Sequence, residues 1–226
     1  MDESIVYKTR MTNRFHLKDP ISTLTHFVAF IAAIFAFPPL LTHAAVHGAD
    51  LKAMISLSVF MLSMILLYGA SSAYHAFNLS ERGNCILKKL DHTMIFLLIA
   101  GSYTPVCTMV LPSPSGIHLL MLVYALAFAG VVFKLCWVTC PKWVSSVIYI
   151  ALGWSCLTAF PQILATLSTA QFLWLLMGGV IYTVGGVLYA LKPKCLEGKA
   201  FGIHEIFHLF VMGGSFCHYV FMFSCV

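Results

Sequence analysis

Apolar residues occur in seven long continuous runs, at about 21–43, 53–77, 91–111, 117–137, 144–160, 169–191 and 201–223. Between them lie segments with turn chemistry or charge. These are His47-Gly48-Ala49-Asp50, the polar stretch Asn78 to Lys89, Pro112-Ser113-Pro114-Ser115-Gly116, Cys140-Pro141-Lys142, and Lys192 to Lys199. A helix rising 1.5 Å per residue needs about 20 apolar residues to cross a hydrocarbon core near 30 Å thick. The runs do not alternate apolar with polar, as the strands of a membrane barrel would. Each predicts a membrane-crossing helix, because only helices and closed barrels satisfy their backbone groups without water. The expected architecture is all-α, with seven transmembrane helices. Residues 1–20 form a short N-terminal segment ahead of one membrane domain, 21–226. The fifth run is the shortest, and the first is too long for the apolar region of a cleaved signal peptide.

Composition excludes the soluble alternatives. Of 226 residues, 60% are hydrophobic and 9% are charged, whereas a soluble domain carries roughly 25% charged residues to solvate its surface. The net charge of +5 does not read as a nucleic-acid patch. Lys8, Arg10, Arg14, Lys18, Arg82, Lys88, Lys89, Lys134, Lys142, Lys192, Lys194 and Lys199 all fall on one side of the seven-span topology. Only Lys52 falls on the other. Short cytoplasmic loops collect Lys and Arg, so the N-terminus is expected in the cytoplasm and the C-terminus outside.

Ionisable groups inside spans are costly, and each is a functional hypothesis by default. Placed by depth, Ser71 and His75 lie near the cytoplasmic end of span two, on one helix face. Asp91 and His92 open span three, and His204 and His208 lie in the first turns of span seven. Three segments thus bring histidines and a carboxylate to one depth. Neutral imidazoles suit Zn²⁺, and three protein ligands with an open fourth position make the arrangement of a catalytic zinc. His75, His204 and His208 are the expected ligands, Asp91 the general base or outer acceptor on the water, and Ser71 its hydrogen-bonding support. The alternative is that these histidines only bridge helices by hydrogen bonds.

His204-Glu205-Ile206-Phe207-His208 also matches HExxH, in which the Glu of a metalloprotease helix is the general base. Against an intramembrane protease, Glu205 is the last acid in the chain, so no later carboxylate supplies a third ligand. One residue past His204, it also points about 100° away. His26 lies at the same inner depth as a further supporting group, and His92 reads as structural. His218, ten residues beyond His208, is roughly 15 Å deeper and cannot share the metal. The eight cysteines are scattered with no CxxC pair; Cys136 and Cys140 share a helix face at i,i+4, but a lone CxxxC is a weak signal and all eight read as small packing residues. Gly178-Gly179, Gly185-Gly186 and Gly213-Gly214 are candidates for close helix approach.

Taken in order, the motifs resemble a known family. Asp19-Pro20-Ile21-Ser22 with Thr25-His26, Ser71-x-x-x-His75, Asp91-His92-Thr93 and the HExxH segment are similar to those of the haemolysin III family. That family is the bacterial branch of the progestin and adipoQ receptor group, which includes the adiponectin receptors. The resemblance covers about Asp19 to Phe223. It implies a multi-pass protein of the bacterial plasma membrane, with zinc on His75, His204 and His208 and with Asp91 and Ser71 beside the water. Relatives in the wider superfamily are amide hydrolases of the ceramidase kind, which implies zinc-dependent hydrolysis of lipid amides, with membrane lipids as partners. Other members are described as hormone receptors, and the family name comes from a reported pore-forming, haemolytic activity. A non-catalytic receptor or cytolytic pore with structural zinc is therefore the alternative. A pore predicts a polar stripe along several spans, whereas the polar groups here gather at one end. In the adiponectin receptors the position matching Glu205 is Gln, which speaks against Glu205 as an essential base.

Overall fold

A computed structural model describes residues 17–198 and 201–226. The basic residues Lys8, Arg10, Arg14 and Lys199, and most of the 1–20 segment, lie outside the described residues. The helices are α1 (Pro20–Val46), α2 (Leu51–Ala76), α3 (Glu81–Pro105), α4 (Ser115–Cys136), α5 (Lys142–Gly153), α6 (Phe160–Thr166), α7 (Thr169–Leu191) and α8 (Ile203–Ser224). The α5–α6 segment forms one interrupted span, so the described residues contain seven helical stretches long and apolar enough to cross a membrane. All are helical, as the unbroken apolar runs predict.

Two boundaries differ from expectation. The third span starts at Glu81 and not near Asp91, so the polar stretch after Asn78 is mostly helix. Ser80 caps it by accepting from the Gly83 amide, a preferred N-cap arrangement. The Asn84 side chain ties back to Asn78 and Leu79, closing the turn that precedes it. Charged residues are compatible with helix wherever they can reach the interface, so hydropathy alone undercounts such a span. Asp91 consequently sits three turns into α3 and not at its mouth.

The second difference is the fifth span, which runs Lys142–Thr166 with a tighter 3₁₀ segment at Trp154–Ala159. A break at membrane depth is tolerated only where its backbone groups find partners in the protein. Tyr103 of α3 supplies them: its hydroxyl donates to the Gly153 carbonyl at 2.6 Å and accepts from the Cys156 amide at 2.8 Å. The Trp154 indole donates across to Thr183 of α7 at 2.9 Å.

Packing runs α8–α1–α2–α3–α5–α7 and back to α8, with α4 outside against α3. Helices α2 and α3 are the most enclosed, with 50% and 56% of their apolar windows buried, against 17% for α7. Much of the outward surface is Leu, Ile, Val and Phe, as a lipid-facing surface allows. Small residues set the close approaches. A Cβ at Gly178 would fall 2.3 Å from the His218 ring, whereas Gly179 faces open space and lines the interior cavity. At Gly130, which the sequence pattern does not single out, a Cβ would fall 2.1 Å from Phe96. Lys134, expected as a cation at the cytoplasmic end of span four, is 1% exposed and donates to Ser145 at 2.6 Å and Cys140 at 3.2 Å. Because α4 ends at Cys136, Cys136 and Cys140 do not share a helix face.

Candidate metal centre

Four helices bring the site together. Asp19 holds the N-cap position of α1 but caps nothing with its side chain. Pro20 follows it at the first helical position, where the missing N–H costs nothing. The Asp19 amide instead donates to the His75 carbonyl at 2.9 Å, and its carboxylate lies 3.0 Å from His75 Nδ1. The start of α1 is thereby fastened to the end of α2. From α8, His204 and His208 face the same point at one-turn spacing. One ring nitrogen from each of His75, His204 and His208 lies within 4.8 Å of the others, and the Nε2 atoms of His75 and His204 are 3.0 Å apart.

Hydrogen-bond partners assign the tautomers. Acceptance by the Asp19 carboxylate puts the His75 proton on Nδ1, leaving a lone pair on Nε2. Thr25 uses its own proton on the Ser22 carbonyl, so its oxygen accepts from His208 Nδ1 at 3.0 Å. His208 Nε2 then also carries a lone pair. The His75 and His208 lone pairs, each backed by an oxygen acceptor on the far nitrogen, converge with His204 into a donor set that fits Zn²⁺. His26 is not a fourth ligand. Its ring stacks on His208 with centroids 3.5 Å apart and planes 10° from parallel, which holds the His208 ring flat against α1.

Asp91 and Ser71 line the cavity beside His75, and the Ser71 side chain is a hydrogen-bonding neighbour of the Asp91 carboxylate. The cavity has a volume of about 380 Å³, within the size range of small-molecule sites. It is lined from every span except the fourth. One end holds the histidines and Asp91; the other runs between apolar walls including Leu98, Ile99, Ile150 and Val211 down to His218. His218 is remote from the cluster, as its spacing predicts. His92 lines the cavity with its Nδ1 unpartnered and its carbonyl accepting from Tyr149 at 3.0 Å.

Glu205 does not face the metal cluster. Its Oε1 accepts from Ser22 of α1 at 2.5 Å, and its Oε2 accepts from the Gly202 amide at 2.9 Å. It caps α8 and ties it to α1, so both oxygens are engaged outside the cavity.

Asp19 and Thr25 stand in the motifs yet carry no role there that spacing reveals. A usable signal existed: each ligand histidine needs an acceptor on its second nitrogen, and Asp19 is the acid at the entrance of span one. Asp19→Ala is expected to lower Zn²⁺ affinity about 10- to 100-fold without abolishing binding, measured by titration against a competing chelator. Complete loss of binding would make Asp19 a ligand rather than a support for one.

The haemolysin-III-related family model matches residues 15–219. Hemolysin-3 of Bacillus cereus is 35% identical over 218 residues, covering 96% of this chain and 94% of that protein. The Hemolysin-3 homolog of Bacillus subtilis is likewise 35% identical, over 94% of each chain. The adiponectin receptor protein of Drosophila melanogaster is 29% identical over 191 residues, covering 73% of this chain and 41% of that one. With its seven apolar spans, the chain belongs to the haemolysin-III-related family of multi-pass integral membrane proteins.

Proposed function

We propose that the protein is a membrane-embedded, zinc-dependent hydrolase of lipid amides. The observation that carries this reading is a three-histidine donor set opening directly into a cavity that is polar at one end and mostly apolar along the rest. A structural zinc needs no such space, since closed structural sites fill all four positions with protein ligands. Zn²⁺ held by His75, His204 and His208 would supply Lewis acidity and an acidified water.

The chain's own residues do the remainder. The apolar walls take the acyl chain, exclude water and bring the amide carbonyl to the polar end. Asp91, oriented by Ser71, receives the proton of the attacking water and returns it to the amine nitrogen as the carbon–nitrogen bond breaks. Water and amide thus become a fatty carboxylate and a protonated amine, the second proton of the water passing from the new carboxyl group to the amine, with a new carbon–oxygen bond and no redox change. The Lys and Arg bias orients the site towards the cytoplasm, so substrate enters from the inner leaflet.

The test is release of fatty acid from defined lipid amides by purified protein. Activity that is lost to a chelator and restored by Zn²⁺ supports the reading; no release from any lipid amide overturns it. In the same assay Glu205→Gln is expected to stay within about threefold of wild type, because its carboxylate lies outside the cavity. A loss of more than 100-fold, on the scale of a removed acid–base catalyst, would favour the metalloprotease assignment. The second reading takes its weight from the relatives named Hemolysin-3: a cytolytic pore. The apolar walls of the cavity beyond the histidines argue against an ion path.

A further inference from the structure

The polar end of the cavity holds more than the metal donors and Asp91. Lys88 of α3 and Lys142 of α5 also line it. Both are partly buried, and neither is in an ion pair, the one such pair among the described residues being His75 with Asp19. The Lys142 ammonium lies 4.1 Å over the Tyr189 ring, a cation–π contact that holds it against the cavity wall. Lys88 stands one turn before Asp91 on α3, and Lys142 opens α5 one turn before Ser145, another cavity residue. By position along their helices, both residues lie nearer the basic membrane face than Asp91 and Ser145, on the entrance side of the cavity. The acids around them are few: Asp91 near Lys88, and Glu197 and Glu205 in the field of Lys142. Glu205 is already engaged by Ser22 and Gly202.

Topology alone accounts for lysines at this membrane face, but not for two of them turned into the cavity. Arg82, in the first turn of the same helix as Lys88, is exposed and does not line this cavity. An ammonium beside a largely apolar cavity gains most from an anion that enters with the ligand. If the acyl chain occupies the apolar end and the amide the histidine end, the amine portion of the substrate falls at the entrance, between these two lysines.

We propose that Lys88 and Lys142 form an anion-binding subsite at the cavity entrance, which selects lipid amides whose amine portion carries a carboxylate, that is, N-acyl amino acids. This rests on the lipid-amide reading and narrows its substrate class. The subsite prefers N-oleoylglycine over the uncharged N-oleoylethanolamine, which has the same acyl chain and amide.

The experiment measures calorimetric binding of these two probes to purified protein in uncharged detergent, with fatty-acid release followed in parallel. Wild type is expected to bind N-oleoylglycine at least about tenfold more tightly, the weight of one hydrogen bond to a charged group. Lys88→Gln and Lys142→Gln each bring that ratio towards one. Lys142→Arg keeps it above one, which separates loss of charge from loss of fold, and Arg82→Gln leaves it at the wild-type value. Equal affinities in wild type, or a ratio that survives both glutamine substitutions or falls equally with Arg82→Gln, overturn the subsite. Metal-dependent release from both probes at equal rates overturns the subsite alone. A tenfold binding preference without release from either probe upholds the subsite and overturns the hydrolase.

Discussion

Replacement of His75, His204 or His208 by Ala is expected to reduce zinc retention in purified protein from near-stoichiometric to background. The drop in affinity should exceed the 10- to 100-fold typical of outer partners, because each substitution removes a donor atom from a set of three. Metal analysis of protein purified in uncharged detergent measures it directly. The substitutions also carry a stability signature. The three ring nitrogens lie within 4.8 Å of one another, and two of them present lone pairs. Without a cation the cluster retains only the hydrogen bond between the Nε2 atoms of His75 and His204; with one, binding stabilises the folded state by about 4 kcal/mol at a thousandfold excess over the dissociation constant. Chelation should therefore lower the melting temperature of wild type and leave the three variants unchanged. Equal zinc in wild type and all three variants would end the metal assignment. It would leave the histidines as a hydrogen-bonded brace between α2 and α8.

Asp91→Asn is expected to retain zinc while slowing lipid-amide turnover by about 10² to 10⁴-fold, the usual span for removing a general acid–base group. The substitution keeps the shape and a hydrogen-bonding partner for Ser71, but Asn cannot take up a proton. The loss should fall on kcat, since the acyl chain is held by residues far from Asp91. Zinc content and turnover measured on the same sample separate the outcomes. Loss of zinc would place Asp91 among the ligands or their supports. Full turnover would move the base elsewhere in the cavity, with His92 the nearest unused imidazole lining it. Ser71→Ala should produce a smaller loss in the same direction, since Ser71 orients the carboxylate and carries no proton itself.

The number of spans was legible because hydropathy is a property of local sequence: a run of about 20 apolar residues has few other uses. The site was legible for a related reason. Once the helices are placed, a residue's depth follows from its position along the helix, and His75, His204 and His208 share one depth. Where the sequence misled, the cause was that local polarity does not report long-range partners. The stretch after Asn78 looks like a loop because it is charged, yet Ser80 caps it into helix. Lys134 looks like an interfacial cation at the end of span four, yet Ser145 and Cys140 take it into the interior. The break in the fifth span is invisible in a run of apolar residues, because Tyr103 supplies its missing backbone partners from fifty residues away.

The sequence by itself determined an all-helical, seven-span membrane protein of the haemolysin-III-related family, with its ionisable groups gathered at one membrane face. Periodicity, length and the cost of burying charge suffice for that much. The tertiary structure alone decided which of those groups act together. It showed that Asp19 and Thr25 orient His75 and His208, that Glu205 is a cap tied to Ser22, and that Lys88 and Lys142 face the cavity. Helices in a membrane are free to rotate about their axes until packed. Depth is therefore written in the chain, but azimuth, and with it every side-chain partner across helices, is set by the close approach of small residues and the bonds made there.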